Sequence, residues 1–139
     1  MGERKEGSAW NPDSYTILVV DDDAEMRSLL AEELEEEGYH VREAKNGLDI
    51  LSEIPFISFD ALVTDWKLPL RDGLLVLNTV KEMHPSVPAI LITAYGDSKI
   101  RKRVEKAGAV YLQKPFSMES LKDLLRTLLR NKVPAVRPR

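Results

Sequence analysis

The amino-acid sequence predicts an α/β fold, with a parallel sheet covered by helices on both faces, on three observations. Short apolar runs of strand length alternate five times with segments of helical period. Those runs are almost continuously apolar, as strands buried on both sides require. The length of 139 residues suits one compact domain.

The elements follow in order. Residues 1–14 mix charged residues, Gly, Asn and Pro without an apolar period, which reads as a flexible arm. Tyr15–Val20 is apolar, β-branched and too short for a helix, hence a buried strand. Ala24–Glu37 places Met26, Leu29, Leu30 and Leu34 on one helical face, and Gly38 supplies the stop. Tyr39–Ala44 reads as a short strand, and Asn46–Ile54 as a short helix with Leu48 and Leu51 inward. Ala61–Thr64 is a third strand, Leu74–Met83 a helix and Ala89–Thr93 a fourth strand. Ser98–Ala107 is helical and ends at Gly108, and Val110–Gln113 is a fifth strand. The last helix, Met118–Leu129, carries Leu121, Leu124, Leu125 and Leu128 on one face, with Ser117 as its cap. The domain is thus expected over residues 15–130. Asn131–Arg139 (NKVPAVRPR) is Pro-broken and basic, a tail or linker. Right-handed crossovers leave few strand orders, and at this size the flavodoxin-like 2-1-3-4-5 is the common one, giving a (βα)5 sandwich.

Composition narrows the function. Hydrophobic residues at 43% and charged residues at 31% exclude general disorder and collagen-like repeats. The absence of Cys excludes disulfides, thiol catalysis and thiolate metal sites, and two His argue against a His-rich zinc site. A formal net charge of −3 makes no electrostatic trap for nucleic acid. No apolar run approaches the 18 or so residues that span a bilayer, and Met1–Ser8 is polar where a secretory leader would be apolar. A cytoplasmic domain without membrane or nucleic-acid contacts is expected.

In such a sheet, ligands bind beyond the carboxyl ends of the strands, where strand order reverses. For order 2-1-3-4-5 that point lies between strands one and three. The first strand runs into Asp21, Asp22 and Asp23, the third ends at Asp65, the fourth at Thr93 and the fifth at Lys114. Each has an ordinary reading: Asp23 as the cap of the next helix, Asp65 and Thr93 as loop residues, Lys114 as a solvated charge. Their convergence on one rim argues for more. Carboxylates brought together repel unless a cation or proton neutralises them. With oxygen donors alone the fitting cation is a hard one, Mg²⁺ being usual where phosphate also binds. Lys114 and the Thr93 hydroxyl suit phosphoryl oxygens, which points to phosphoryl transfer onto a carboxylate nucleophile.

The motifs VVDDD after the first strand, TDWKLPLRDG around Asp65, ITA at Thr93 and QKPF at Lys114 resemble the receiver domain of two-component response regulators. The resemblance spans roughly Tyr15–Leu129 and implies a set of roles. Asp65 is the phosphoacceptor, charged by a partner histidine kinase or phosphotransfer protein. Asp21, Asp22, Asp65 and the Lys67 backbone carbonyl are the Mg²⁺ ligands. Lys114 pairs with a phosphoryl oxygen, and Thr93 with Tyr111 forms the switch pair. The Lys114–Pro115 bond is cis, and Lys67 tunes phosphate hydrolysis. Pro69, Asp72 and Gly73 read as turn chemistry behind the acceptor, with Asp72 a helix cap, and Trp66 as a neighbour at the rim.

Two charge runs bear on partners. Glu25, Glu32, Glu33, Glu35, Glu36 and Glu37 on the first helix read as a solvated face. Lys99, Arg101, Lys102, Arg103 and Lys106 lie on the fourth helix. By the resemblance, the face made by the fourth helix, fifth strand and fifth helix takes an output partner or a second protomer. Two other functional classes are weighed. A haloacid dehalogenase-like phosphatase would use Asp21-Asp22-Asp23, Thr93 and Lys114 but leaves Asp65 without a role. A receiver-shaped module that is never phosphorylated would have no use for the full motif set.

Overall fold

The computed structural model describes residues 11–67, 73–94 and 98–130. Residues 1–10 of the expected arm, the tail 131–139, Pro69 and the cap reading of Asp72 lie outside them. Five strands, β1 (Thr16–Val20), β2 (His40–Ala44), β3 (Ala61–Asp65), β4 (Ala89–Thr93) and β5 (Val110–Gln113), form one parallel sheet in the order β2-β1-β3-β4-β5. They alternate with α1 (Ala24–Glu36), α2 (Gly47–Glu53), α3 (Gly73–Met83), α4 (Ser98–Lys106) and α5 (Met118–Leu129).

Strand periodicity sorts the core into two layers. Ile17, Val19, Ala61, Val63, Ile90 and Ile92 pack with Leu30 and Leu34 of α1 and Leu121, Leu125 and Leu129 of α5. On the other face, Leu18, Val20, Leu62 and Leu91 pack with Ile50 of α2, Val76, Leu77 and Val80 of α3 and Val104 of α4. β1 and β4 are buried throughout, whereas the edge strands β2 and β5 are mostly not, because each has a neighbour on one side only.

Several local expectations are corrected. The third strand runs one residue past the expected Ala61–Thr64, so Asp65 is the last residue of β3, held in the ladder opposite Ile92. Leu48 and Leu29 point outward, at 48% and 43% exposure, while Ile50, Ile54 and Ala31 fill the core. In α2 the helix stops one residue early, at Glu53, where a 3-10 turn over Ile54–Phe56 with Pro55 in its first turn takes over; Ile54, four residues after Ile50, is buried on the same face. Another 3-10 turn, Pro12–Ser14, lies within the stretch read as the arm; Asp13 Oδ1 is 3.0 Å from His40 Nε2. The acidic face of α1 is not wholly solvated: Lys122 of α5 lies 2.9 Å from Glu33 and 3.6 Å from Glu37, tying the two helices.

Candidate functional site

β1 and β3 deliver the central carboxylates. Their register pairs Val20 with Thr64, so Asp21 and Asp65 are the next residues on neighbouring strands and share one face of the pleat. Oxygen atoms of Asp21, Asp22 and Asp65 all lie within 4.8 Å of one another. Asp21 is 2% exposed, Asp65 half-buried and Asp22 exposed. Asp23 stands apart from this group: its carboxylate accepts from the Glu25 and Met26 amides at 3.0 and 3.3 Å, capping α1.

Burial pushes the Asp21 carboxyl up to about 6; the Asp65 and Asp22 charges add to this, while the Asp23 amide, donating to Asp21 Oδ1 at 2.9 Å, and Lys114 oppose it. The Asp65 carboxyl is raised for the same first reason, burial, and is relieved chiefly by Lys114. Three carboxylates so placed form an anionic, oxygen-only donor set. That chemistry fits a hard divalent cation and gives a soft metal nothing to bind.

Neighbouring strand ends complete the rim. Thr93, 1% exposed, closes β4, and its carbonyl accepts from the Lys114 amide at 2.8 Å, which brings Lys114 to the carboxylates. The Lys114–Pro115 bond is cis. Trp66 donates its amide to the Ile92 carbonyl at 2.8 Å, and the Lys67 amide points to Asp65 Oδ1 at 3.5 Å. Two arginines of α4 rest on aromatic rings: Arg103 on Trp66 at 5.5 Å and Arg101 on Tyr111 of β5 at 5.0 Å.

Gly73, the first residue of α3, sits where no side chain fits. A Cβ built there would stand 2.1 Å from the Asp65 carbonyl oxygen and 2.9 Å from Trp66 Cα. The Gly73 amide donates to the Trp66 carbonyl at 2.7 Å, so the start of α3 presses on the end of β3. Sequence reasoning singled out Gly73 but not this contact. It missed Arg27 altogether: from α1, this guanidinium donates to the Asp21 carbonyl at 2.9 Å and lies 3.3 Å from Glu43 at the end of β2. Its only sequence signal is a basic residue six positions after Asp21 in an otherwise acidic stretch.

Among the described residues, no helix is long and apolar enough to cross a membrane. Residues 17–126 match the family described as the response regulator receiver domain. The chain is 32% identical over 114 residues to sporulation initiation phosphotransferase F of Bacillus subtilis, covering 81% of this chain and 92% of that protein. It is 32% identical over 122 residues to the transcriptional regulatory protein FixJ of Bradyrhizobium diazoefficiens, covering 87% of this chain but 60% of that one. The receiver domain of the Francisella response regulator 1452 superposes with a TM-score of 0.79 at 28% identity, over 86% of this chain and 99% of that one.

Proposed function

The chain belongs to the family of response regulator receiver domains, and from that premise we propose that it is a phosphorylation switch in which Asp65 takes a phosphoryl group from a histidine kinase or a phosphotransfer protein. The observation that carries this reading is the meeting of Asp21, Asp22 and Asp65 oxygens within 4.8 Å. The unit that switches is residues 15–130, in the cytoplasm where such a kinase presents its phosphohistidine.

A carboxylate is a poor nucleophile towards an anionic donor, because like charges repel. Asp21, Asp22, Asp65 and the Lys67 carbonyl would hold Mg²⁺, which supplies positive charge to the phosphoryl oxygens when bound. Lys114, just beyond the carboxyl end of β5 on the same rim, contributes a second positive charge. An Asp65 oxygen forms the new bond to phosphorus as the bond to the donor imidazole nitrogen breaks, and the imidazole leaves with the electron pair. The resulting acyl phosphate brings extra negative charge and acceptor oxygens to the rim. Lys114 and the Thr93 hydroxyl are the groups that answer it, by charge-assisted and ordinary hydrogen bonds. Tyr111 shares β5 with the approach to Lys114, and its ring lies under Arg101. Movement at Thr93 and Tyr111 therefore reaches α4, and the α4–β5–α5 face is where an output partner or second protomer would dock. A phosphatase of the haloacid dehalogenase type fits less well, since it leaves Asp65, a member of the cluster, idle.

The test is incubation with acetyl phosphate and MgCl2, followed by intact-mass measurement. One added phosphoryl mass is expected, lost in Asp65→Asn; its persistence in that variant would refute the assignment. Mg²⁺ alone should quench Trp66, read in a Trp10→Phe background because the chain has two Trp.

A further inference from the structure

We propose that Arg27 is a positioning residue for the carboxylate cluster, acting through the peptide that joins Asp21 to Asp22. This rests on the reading of that cluster as the magnesium site. Among the described residues, β1 and β2 pair as far as Val20 and Ala44, and the Asp21 amide adds one more bond, to the Ala44 carbonyl at 3.1 Å. There the ladder ends. Asn46 turns its side chain to cap α2, accepting from the Asp49 amide at 2.8 Å. The Asp21 carbonyl projects beyond the last rung, and Arg27 Nη1 meets it at 2.9 Å.

A carbonyl is rigidly coupled to the amide it precedes, because the peptide unit is planar. Holding the Asp21 carbonyl therefore sets the plane from which Asp22 departs. Asp22 is exposed, and the bonds that orient Asp21 are of a different kind: its own amide to Ala44 and its carboxylate to the Asp23 amide. Arg27 is itself braced, since Nε lies 3.3 Å from Glu43 Oε1 and its side chain is 19% exposed. The planar guanidinium spans both partners at once, with fixed spacing between its donors, which a lysine cannot reproduce. α1, the end of β1 and the end of β2 are thus locked at the point where two ligand carboxylates diverge.

The experiment is Mg²⁺ titration of the metal-free protein by Trp66 fluorescence, in a Trp10→Phe background, for the parent, Arg27→Ala, Arg27→Lys and Glu43→Gln. Partners that orient metal ligands typically matter by about tenfold or more in affinity. Arg27→Ala should raise the half-saturating MgCl2 concentration about tenfold, Arg27→Lys only partly restoring it, and Glu43→Gln should raise it about two- to threefold with the carbonyl bond kept. Phosphorylation by acetyl phosphate at saturating Mg²⁺ should stay within about twofold of the parent, because the ligands themselves are intact. Without metal, the Asp22 backbone amide resonance should shift in Arg27→Ala. Unchanged half-saturation in Arg27→Ala, with only a lower melting temperature, would overturn the proposal and leave the magnesium reading standing. A parent protein silent to Mg²⁺ would instead remove the magnesium reading, and this inference with it.

Discussion

Two buried aspartates stand at opposite ends of the sheet and do opposite things. Asp60, fully buried just before β3, accepts from the Thr16 amide at 2.8 Å, while its own amide donates to the Thr16 carbonyl at 2.8 Å. That reciprocal pair clasps the start of β1 to the start of β3. Asp21, 2% exposed at the far end of β1, is crowded by Asp22 and Asp65. The first aspartate closes the hydrogen-bond accounts of two strands; the second leaves a deficit of positive charge at the rim. A buried carboxylate is therefore a functional signal only where its surroundings fail to satisfy it.

The largest effect should come from breaking the satisfied end. Asp60→Ala strips a buried amide of its acceptor and should cost about 2–3 kcal/mol in chemical denaturation. The fraction that remains folded should still be phosphorylated. Gly73→Ala tests the functional end by crowding: with 2.1 Å available to the new Cβ, backbone must move, at about 1–3 kcal/mol. Because the atom it meets is the Asp65 carbonyl oxygen, phosphorylation should fall as well.

Asp21→Asn should act in the opposite sense to Asp60→Ala. It removes one of three crowded charges while keeping an oxygen for the Asp23 amide, and should stabilise the metal-free protein by about 1 kcal/mol once solvent screening is allowed for. Mg²⁺ binding and phosphorylation should be lost. If Asp21→Asn destabilised the metal-free protein, the contrast between the two aspartates would fail.

The smallest effect is a pH dependence whose sign follows from Asp21. An acid raised from 3.8 to about 6 on folding holds its proton more tightly in the folded state. Its contribution favours the fold below pH 3.8 and is lost as pH rises through about 6. Melting temperatures at pH 5 and pH 8 should therefore differ less in Asp21→Asn than in the parent, and saturating Mg²⁺ should narrow the parent's difference. An equal difference in both proteins would show that burial among like charges does not raise the Asp21 carboxyl.

How far these features could be read without coordinates depended on the range of the interaction behind each. Strand and helix periods are local, so β4, β5 and α5 were legible to within a residue, as were the Ser117 cap and the role of Asp23. Asp21, Asp22, Asp65, Thr93 and Lys114 were legible as candidates because parallel topology places every strand's carboxyl end on one rim. Leu48 and Leu29 were misplaced because a helix's inward face depends on what it packs against, which periodicity alone leaves open.

Tertiary structure alone decided the rest. Thr16 and Asp60 are 44 positions apart, and nothing in either neighbourhood announces their pairing. Arg27 resembles any surface arginine until β2 ends where it does and leaves the Asp21 carbonyl for it. The chain by itself determined which chemistry stands at the ends of its strands, since alternation and handedness are encoded locally. Which carboxylate is satisfied and which is left wanting a cation was settled only when distant backbone groups met, because hydrogen bonds and charge repulsion act over a few ångströms of space, whatever the separation along the chain.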